Sequence, residues 1–75
     1  MSFQEIQNTM RIIREETLKL IADGQRPTLD EIDLFVSFVS PFTILELSDE
    51  TQEKIGHTWE QMIENTVKKI ILENL

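Results

Sequence analysis

The 75-residue chain contains no cysteine and no tyrosine, and it has only one histidine, one tryptophan, two glycines and two prolines. Without cysteine, disulfide bridges and thiolate metal sites are excluded. His57 has Glu53 one helical turn before it and Gln61 one turn after. That set falls short of the three or four ligands a stable metal site needs, so neither a metal nor a cofactor is expected. Bases are also scarce: 7 Lys and Arg face 14 Asp and Glu, for a net charge of −7. Direct nucleic-acid binding, which relies on clustered cations against phosphates, is therefore not expected. No apolar stretch approaches the ~20 residues of a membrane span. The start, Met1-Ser2-Phe3-Gln4-Glu5, lacks the basic region and apolar run of a secretion signal, so a cytoplasmic protein is expected. One further absence is local. Residues 28–53 contain no Lys or Arg, yet they hold Asp30, Glu31, Asp33, Glu46, Asp49, Glu50 and Glu53.

What the chain does have is a globular share of apolar residues, 40%, which argues against disorder. A chain this short buries only about 60% of its unfolded surface. With bridges and metals excluded, stability falls to tight helix packing or to a partner subunit.

Helical periodicity organises a single domain over residues 1–75 into three helices, at about 2–23, 28–40 and 48–74. In the first, Ser2 and Glu5 make a capping box. Phe3, Ile6, Met10, Ile13, Thr17, Leu20 and Ile21 share one face. Gly24 suits the position after the helix end, and Pro27 discourages continuation. The second helix opens on the capping box Thr28-Leu29-Asp30-Glu31 and is expected to stop by Ser40, because Pro41 restricts the residue before it. Leu29, Ile32, Phe35, Val36 and Val39 form its main stripe, with Leu34 and Phe38 on the far side. Residues 42–47 read as an apolar connector. The third helix starts near Ser48 and lines up Ile55, Trp59, Met62, Ile63, Thr66 and Ile70. Gly56 interrupts it at a cost of about 1 kcal/mol, and Thr58-Trp59-Glu60-Gln61 offers a second start there.

The fold expected is thus all-α, a three-helix antiparallel bundle completed by oligomerisation. The alternative is an α–β–β–α domain with a hairpin at residues 34–47, since Phe35–Val39 and Phe42–Leu45 are rich in strand formers. Two seams exceed what one core needs: Leu34 with Phe38, and Val67, Ile71 and Leu75 at i, i+4 and i+8. A homodimer joined through these five residues would cover them.

The parts of an active site are missing. The serines are explained as caps, turns or helix interior, and the acids sit where helix starts favour them. No enzyme is expected. Length, acidity and helicity are also those of acyl carrier proteins, which attach phosphopantetheine at an Asp-Ser-Leu motif. Here Leu47-Ser48-Asp49 runs in the reverse order, so that site is not carried over. The function expected is a small acidic protein-binding module that oligomerises and recruits or inhibits a larger protein. Its seven acids in residues 28–53 would face a basic or nucleic-acid-associated partner, as small acidic proteins of phages and mobile elements do. The alternative is a small-ligand-binding protein whose oligomer encloses a pocket lined by Phe35, Phe38 and Phe42.

Overall fold

The computed structural model describes residues 3–22, 24 and 26–74, with Phe3 by its backbone alone. Among these residues the chain is all-helical and contains no strand. Four α-helices follow one another: α1 (Phe3–Leu20), α2 (Leu29–Ile44), α3 (Asp49–Ile55) and α4 (Trp59–Glu73), with a 3-10 turn over Gly56–Thr58. The alternative hairpin at residues 34–47 is overturned, since α2 occupies 34–44 and a turn follows.

Helix α1 buries Thr9, Ile13, Thr17 and Ile21, with Ile6 and Met10 half-buried beside them. The threonines fit an apolar interior because their hydroxyls donate to carbonyls one turn back, Thr9 to Glu5 at 2.9 Å and Thr17 to Ile13 at 2.7 Å. The helix closes at Leu20, earlier than the expected residue 23, and Gly24 takes the left-handed conformation (φ 73°) that ends it. The expected cap Ser2, together with Asp23, lies outside the described residues, as does the side chain of Phe3.

Helix α2 begins as its sequence indicates. The Glu31 amide donates to the Thr28 hydroxyl at 3.2 Å and the Thr28 amide to the Glu31 carboxylate at 3.1 Å, the reciprocal pair of a capping box. Its end differs from expectation: the helix runs through Pro41 to Ile44. Proline removes one donor, the one that would reach the Ser37 carbonyl. Ser37 and Pro41 are both exposed, so water can serve that carbonyl. On the buried side the backbone is reinforced, with Ser40 donating to Val36 at 2.6 Å and Thr43 to Val39 at 2.7 Å.

The third predicted helix is two. Gly56 sits at φ 56° and ψ −137°, a conformation that breaks α3 from α4. The 3-10 turn then restarts the chain, though Thr58 is not a side-chain cap; its hydroxyl donates back to the Ile55 carbonyl at 2.6 Å.

Helix α4 is packed on both sides, against α1 and against α2, while α1 and α2 touch each other little. The Thr66 hydroxyl reaches the Met10 sulfur at 3.8 Å on the α1 side, and the Trp59 indole N–H donates to Thr43 Oγ1 at 3.1 Å on the α2 side. Trp59 is therefore core. Because it pairs with the end of α2, while the start of α2 lies beside Ile71 and Leu72, α2 and α4 run in opposite directions. Ile13, Val36, Val39, Ile63 and Val67 belong to one continuous apolar interior.

Candidate partner-binding surface

Helix α2 carries apolar side chains on two opposite faces. Ile32, Val36, Val39 and Thr43 point into the core. Stepping by four and then three residues at 100° each, Leu34, Phe38, Phe42 and Leu45 line up on the opposite side. They are 72%, 66%, 61% and 71% exposed, an unusual state for side chains this large. The Phe38 and Phe42 rings touch, with centroids 5.2 Å apart and planes tilted by 46°. The result is a ridge of four apolar side chains in water. Phe35, by contrast, is half-buried against the core, so Phe35, Phe38 and Phe42 do not enclose a common pocket within one chain.

The five residues expected at an oligomer interface divide. Leu34 and Phe38 belong to the ridge. Val67 is 0% exposed and Ile71 3%, which corrects the expectation of a second surface seam: both lie in the chain's own core. The reason is positional, since a helix with a neighbour on each side needs a wider apolar face than one stripe. Leu75 lies outside the described residues. The exposed leucine near the end of α4 is Leu72.

All seven acids of residues 28–53 are exposed. Asp30 and Glu31 occupy the first turn of α2, one turn before Leu34. Glu46 follows Leu45, and Asp49 and Glu50 open α3 just beyond. The ridge thus has carboxylates at both ends. Asp33 lies to one side of it, and Glu53 further along α3. Two of the acids are also engaged locally: Glu31 in its capping box, and Glu50 with Lys54 at 3.1 Å.

Another carboxylate performs a role not anticipated from local sequence. Glu5, half-buried on α1, accepts the backbone N–H of Ser48. The Ser48 and Thr51 hydroxyls lie 3.3 and 2.9 Å from its other oxygen. Ser48 is the N-cap of α3, and the third residue of that helix is Thr51 rather than Glu or Gln. The reciprocal half of a capping box is therefore missing locally, and Glu5 supplies it from another helix. The negative group also suits the positive end of α3. A Ser-x-x-Thr start with no acid at its third position was the one sequence signal for such a contact. The expected pairing of Glu5 with Ser2 involves a residue outside the described set.

No group of three or more His, Asp or Glu among the described residues is arranged to hold a metal. Ser40 and Ser48 are committed to backbone and capping bonds. No helix among the described residues is long and apolar enough to cross a membrane. Two shallow grooves carry cations: one of about 480 Å³ between α1 and α4 with Arg11, Arg14 and Lys69, and one of about 530 Å³ between the start of α2 and the end of α4 with Arg26 and Lys68.

Comparison with known proteins yields no matching family model, no similar curated protein and no similar solved structure.

Proposed function

We propose that this chain is a protein-binding module whose working surface is the outer face of α2, and that it acts by recruiting or inhibiting a larger protein. One observation carries the reading: Leu34, Phe38, Phe42 and Leu45 stand in a row, each more than three-fifths exposed. Burying a large apolar side chain is worth about 1.5–3 kcal/mol, so four in a row form a strong reservoir of binding energy. Aromatic residues at the centre of such a row are typical interface anchors. In this reading the three long helices form a bundle centred on α4, with α2 turned outward. The self-association expected from two seams keeps only one, because Val67 and Ile71 are internal. A second copy on the α2 ridge is thus a competing occupant.

A photoreactive phenylalanine analogue placed at Phe38 in the native host tests the reading. Irradiation should yield one dominant adduct, absent when the analogue replaces Gln7 on the exposed side of α1. An absence of any specific adduct at Phe38 would sink it. Native mass spectrometry of the purified protein checks the alternative class: a retained small molecule would favour a ligand carrier.

A further inference from the structure

The charge around the α2 ridge indicates what covers it. We propose, resting on the reading above that this face binds protein, that its occupant is a cationic amphipathic helix from a different protein.

The shape comes first. From Leu34 to Leu45 the ridge follows one helical line for about 16 Å, at a rise of 1.5 Å per residue. A single file of side chains at i, i+4, i+8 and i+11 is what the apolar face of another helix matches, two or three turns against two or three turns. The ridge alone presents on the order of 400 Å² of apolar surface, the size of the largest patch on a typical monomer, which is often functional. A stable interface takes about 800 Å² per partner, so the surrounding residues must contribute the remainder.

Along α2 and the turn after it, every charged side chain is acidic. Asp30 and Glu31 stand before the ridge, and Glu46, Asp49 and Glu50 after it. No base occurs within residues 28–53. The bases that flank this segment are Arg26 before it and Lys54 after it; Lys54 pairs with Glu50 at 3.1 Å, so those two charges offset each other and Asp30, Glu31, Glu46 and Asp49 set the sign of the rim. A partner helix with Lys or Arg near both ends and Leu or Phe between them would meet the ridge with apolar side chains and the rim with opposite charge.

A second copy of the chain fits poorly. Pairing two α2 ridges across a two-fold axis sets Asp30 and Glu31 of one copy near Glu46 and Asp49 of the other, at both ends. A parallel arrangement sets each acidic end against itself. Either way like charges meet at the rim, which disfavours that pairing. Of the chain's own bases, Arg11, Arg14 and Lys69 line the groove between α1 and α4, and Arg26 and Lys68 line the one beside Leu29 and Ile32, on the flank of α2 that faces α4 rather than on the ridge.

Synthetic peptides test the proposal. The probes are two 18-residue helical peptides, one of Leu, Ala and Lys with lysines at the ends and flanks, the other with every Lys replaced by Glu. Binding to the full chain is followed by fluorescence anisotropy. The lysine peptide should bind and the glutamate peptide should not. Raising the salt from 50 to 500 mM should weaken binding about tenfold, as screening removes the attraction. Phe38→Ser, which leaves every charge in place, should lower affinity about thirtyfold. The double change Asp30→Asn, Glu46→Gln should lower it several-fold with the ridge intact. Far-ultraviolet circular dichroism verifies that each variant is folded.

Three results would overturn the proposal. If both peptides bind alike and both lose to Phe38→Ser, the face is apolar-selective only; the α2 reading survives but its charged occupant does not. If the lysine peptide binds Phe38→Ser as well as it binds the parent, the attraction is general electrostatics, and the α2 reading fails with it. If sedimentation shows a dimer that Phe38→Ser dissociates, the occupant is a second copy.

Discussion

Helices α2 and α4 both carry more apolar residues than one face can hold, and they dispose of the surplus in opposite ways. In α4 the extra line, Val67 and Ile71, disappears into the core because α1 and α2 pack on either side. In α2 the extra line, Leu34, Phe38, Phe42 and Leu45, stays in water because α4 is its one substantial neighbour. A related signal in sequence, an apolar line beyond the one stripe a helix needs, thus reports two different things. In a helix with two neighbours it means core. In a helix with one neighbour it means a surface with something still to bind.

The contrast breaks most visibly at Ile71. Replacing it with Glu places an unpaired charge in the core beside Val67, and the expected loss exceeds about 4 kcal/mol, enough to unfold a chain of this size. Circular dichroism should show a largely unfolded protein at every concentration. A folded monomer would mean that Ile71 is peripheral and that the two helices do not differ. Gly56 comes next, because its conformation lets α4 turn back between its neighbours. A Cβ added there would meet no atom within 4 Å, but φ 56° with ψ −137° is a conformation that other residues adopt only under strain. Gly56→Ala should cost about 1–3 kcal/mol by urea denaturation, from backbone strain alone. An unchanged midpoint would show that α3 and α4 join without needing that turn.

Much of this arrangement is legible in the residues, and the gaps have physical causes. Periodicity locates each long helix, and Thr28 with Glu31 caps α2 as the local pattern indicates. Pro41 misleads because the rule that proline ends a helix assumes the freed carbonyl has no other recourse, and at exposed Ser37 water can serve it. Val67 and Ile71 mislead because periodicity counts apolar faces without saying how many neighbours a helix has. The ridge itself is half visible: Leu34 and Phe38 stand out from the α2 stripe, while Phe42 and Leu45 were hidden by ending the helix early. Glu5 escapes because its partners, Ser48 and Thr51, lie more than forty residues away in sequence. No local pattern connects an acid on one helix with an incomplete cap on another.

That inter-helix cap provides a smaller test. Glu5→Gln keeps one acceptor for the Ser48 amide but loses the charge and the second strong acceptor facing Thr51. Stability should fall by about 1–2 kcal/mol, the range of a lost cap. A double-mutant cycle with Ser48→Ala separates this role from any effect at the start of α1. A coupling of about 0.5–1.5 kcal/mol is expected if the two groups act together. Strict additivity would show that Glu5 does not act through the Ser48 cap, and α3 would then rest on the burial of Leu47, Thr51 and Ile55.

The smallest change in stability is expected at the ridge, and that smallness is itself informative. Leu34 and Phe38 make few contacts that folding requires, so replacing both with Ser removes little that holds the monomer together. The remaining cost is helix propensity, a few tenths of a kcal/mol per position, partly offset by removing apolar surface from water. Thermal denaturation of the double variant should therefore match the parent within about 0.5 kcal/mol per site, the range of ordinary surface changes. The comparison is best made at two protein concentrations a hundredfold apart. If the parent alone melts higher when concentrated, its ridge is already covered by another copy, because self-association stabilises by mass action. The difference between α2 and α4 would then be one of which chain supplies the second neighbour. If neither protein responds to concentration, α2 keeps its second face free, and its apolar row is available to a different partner.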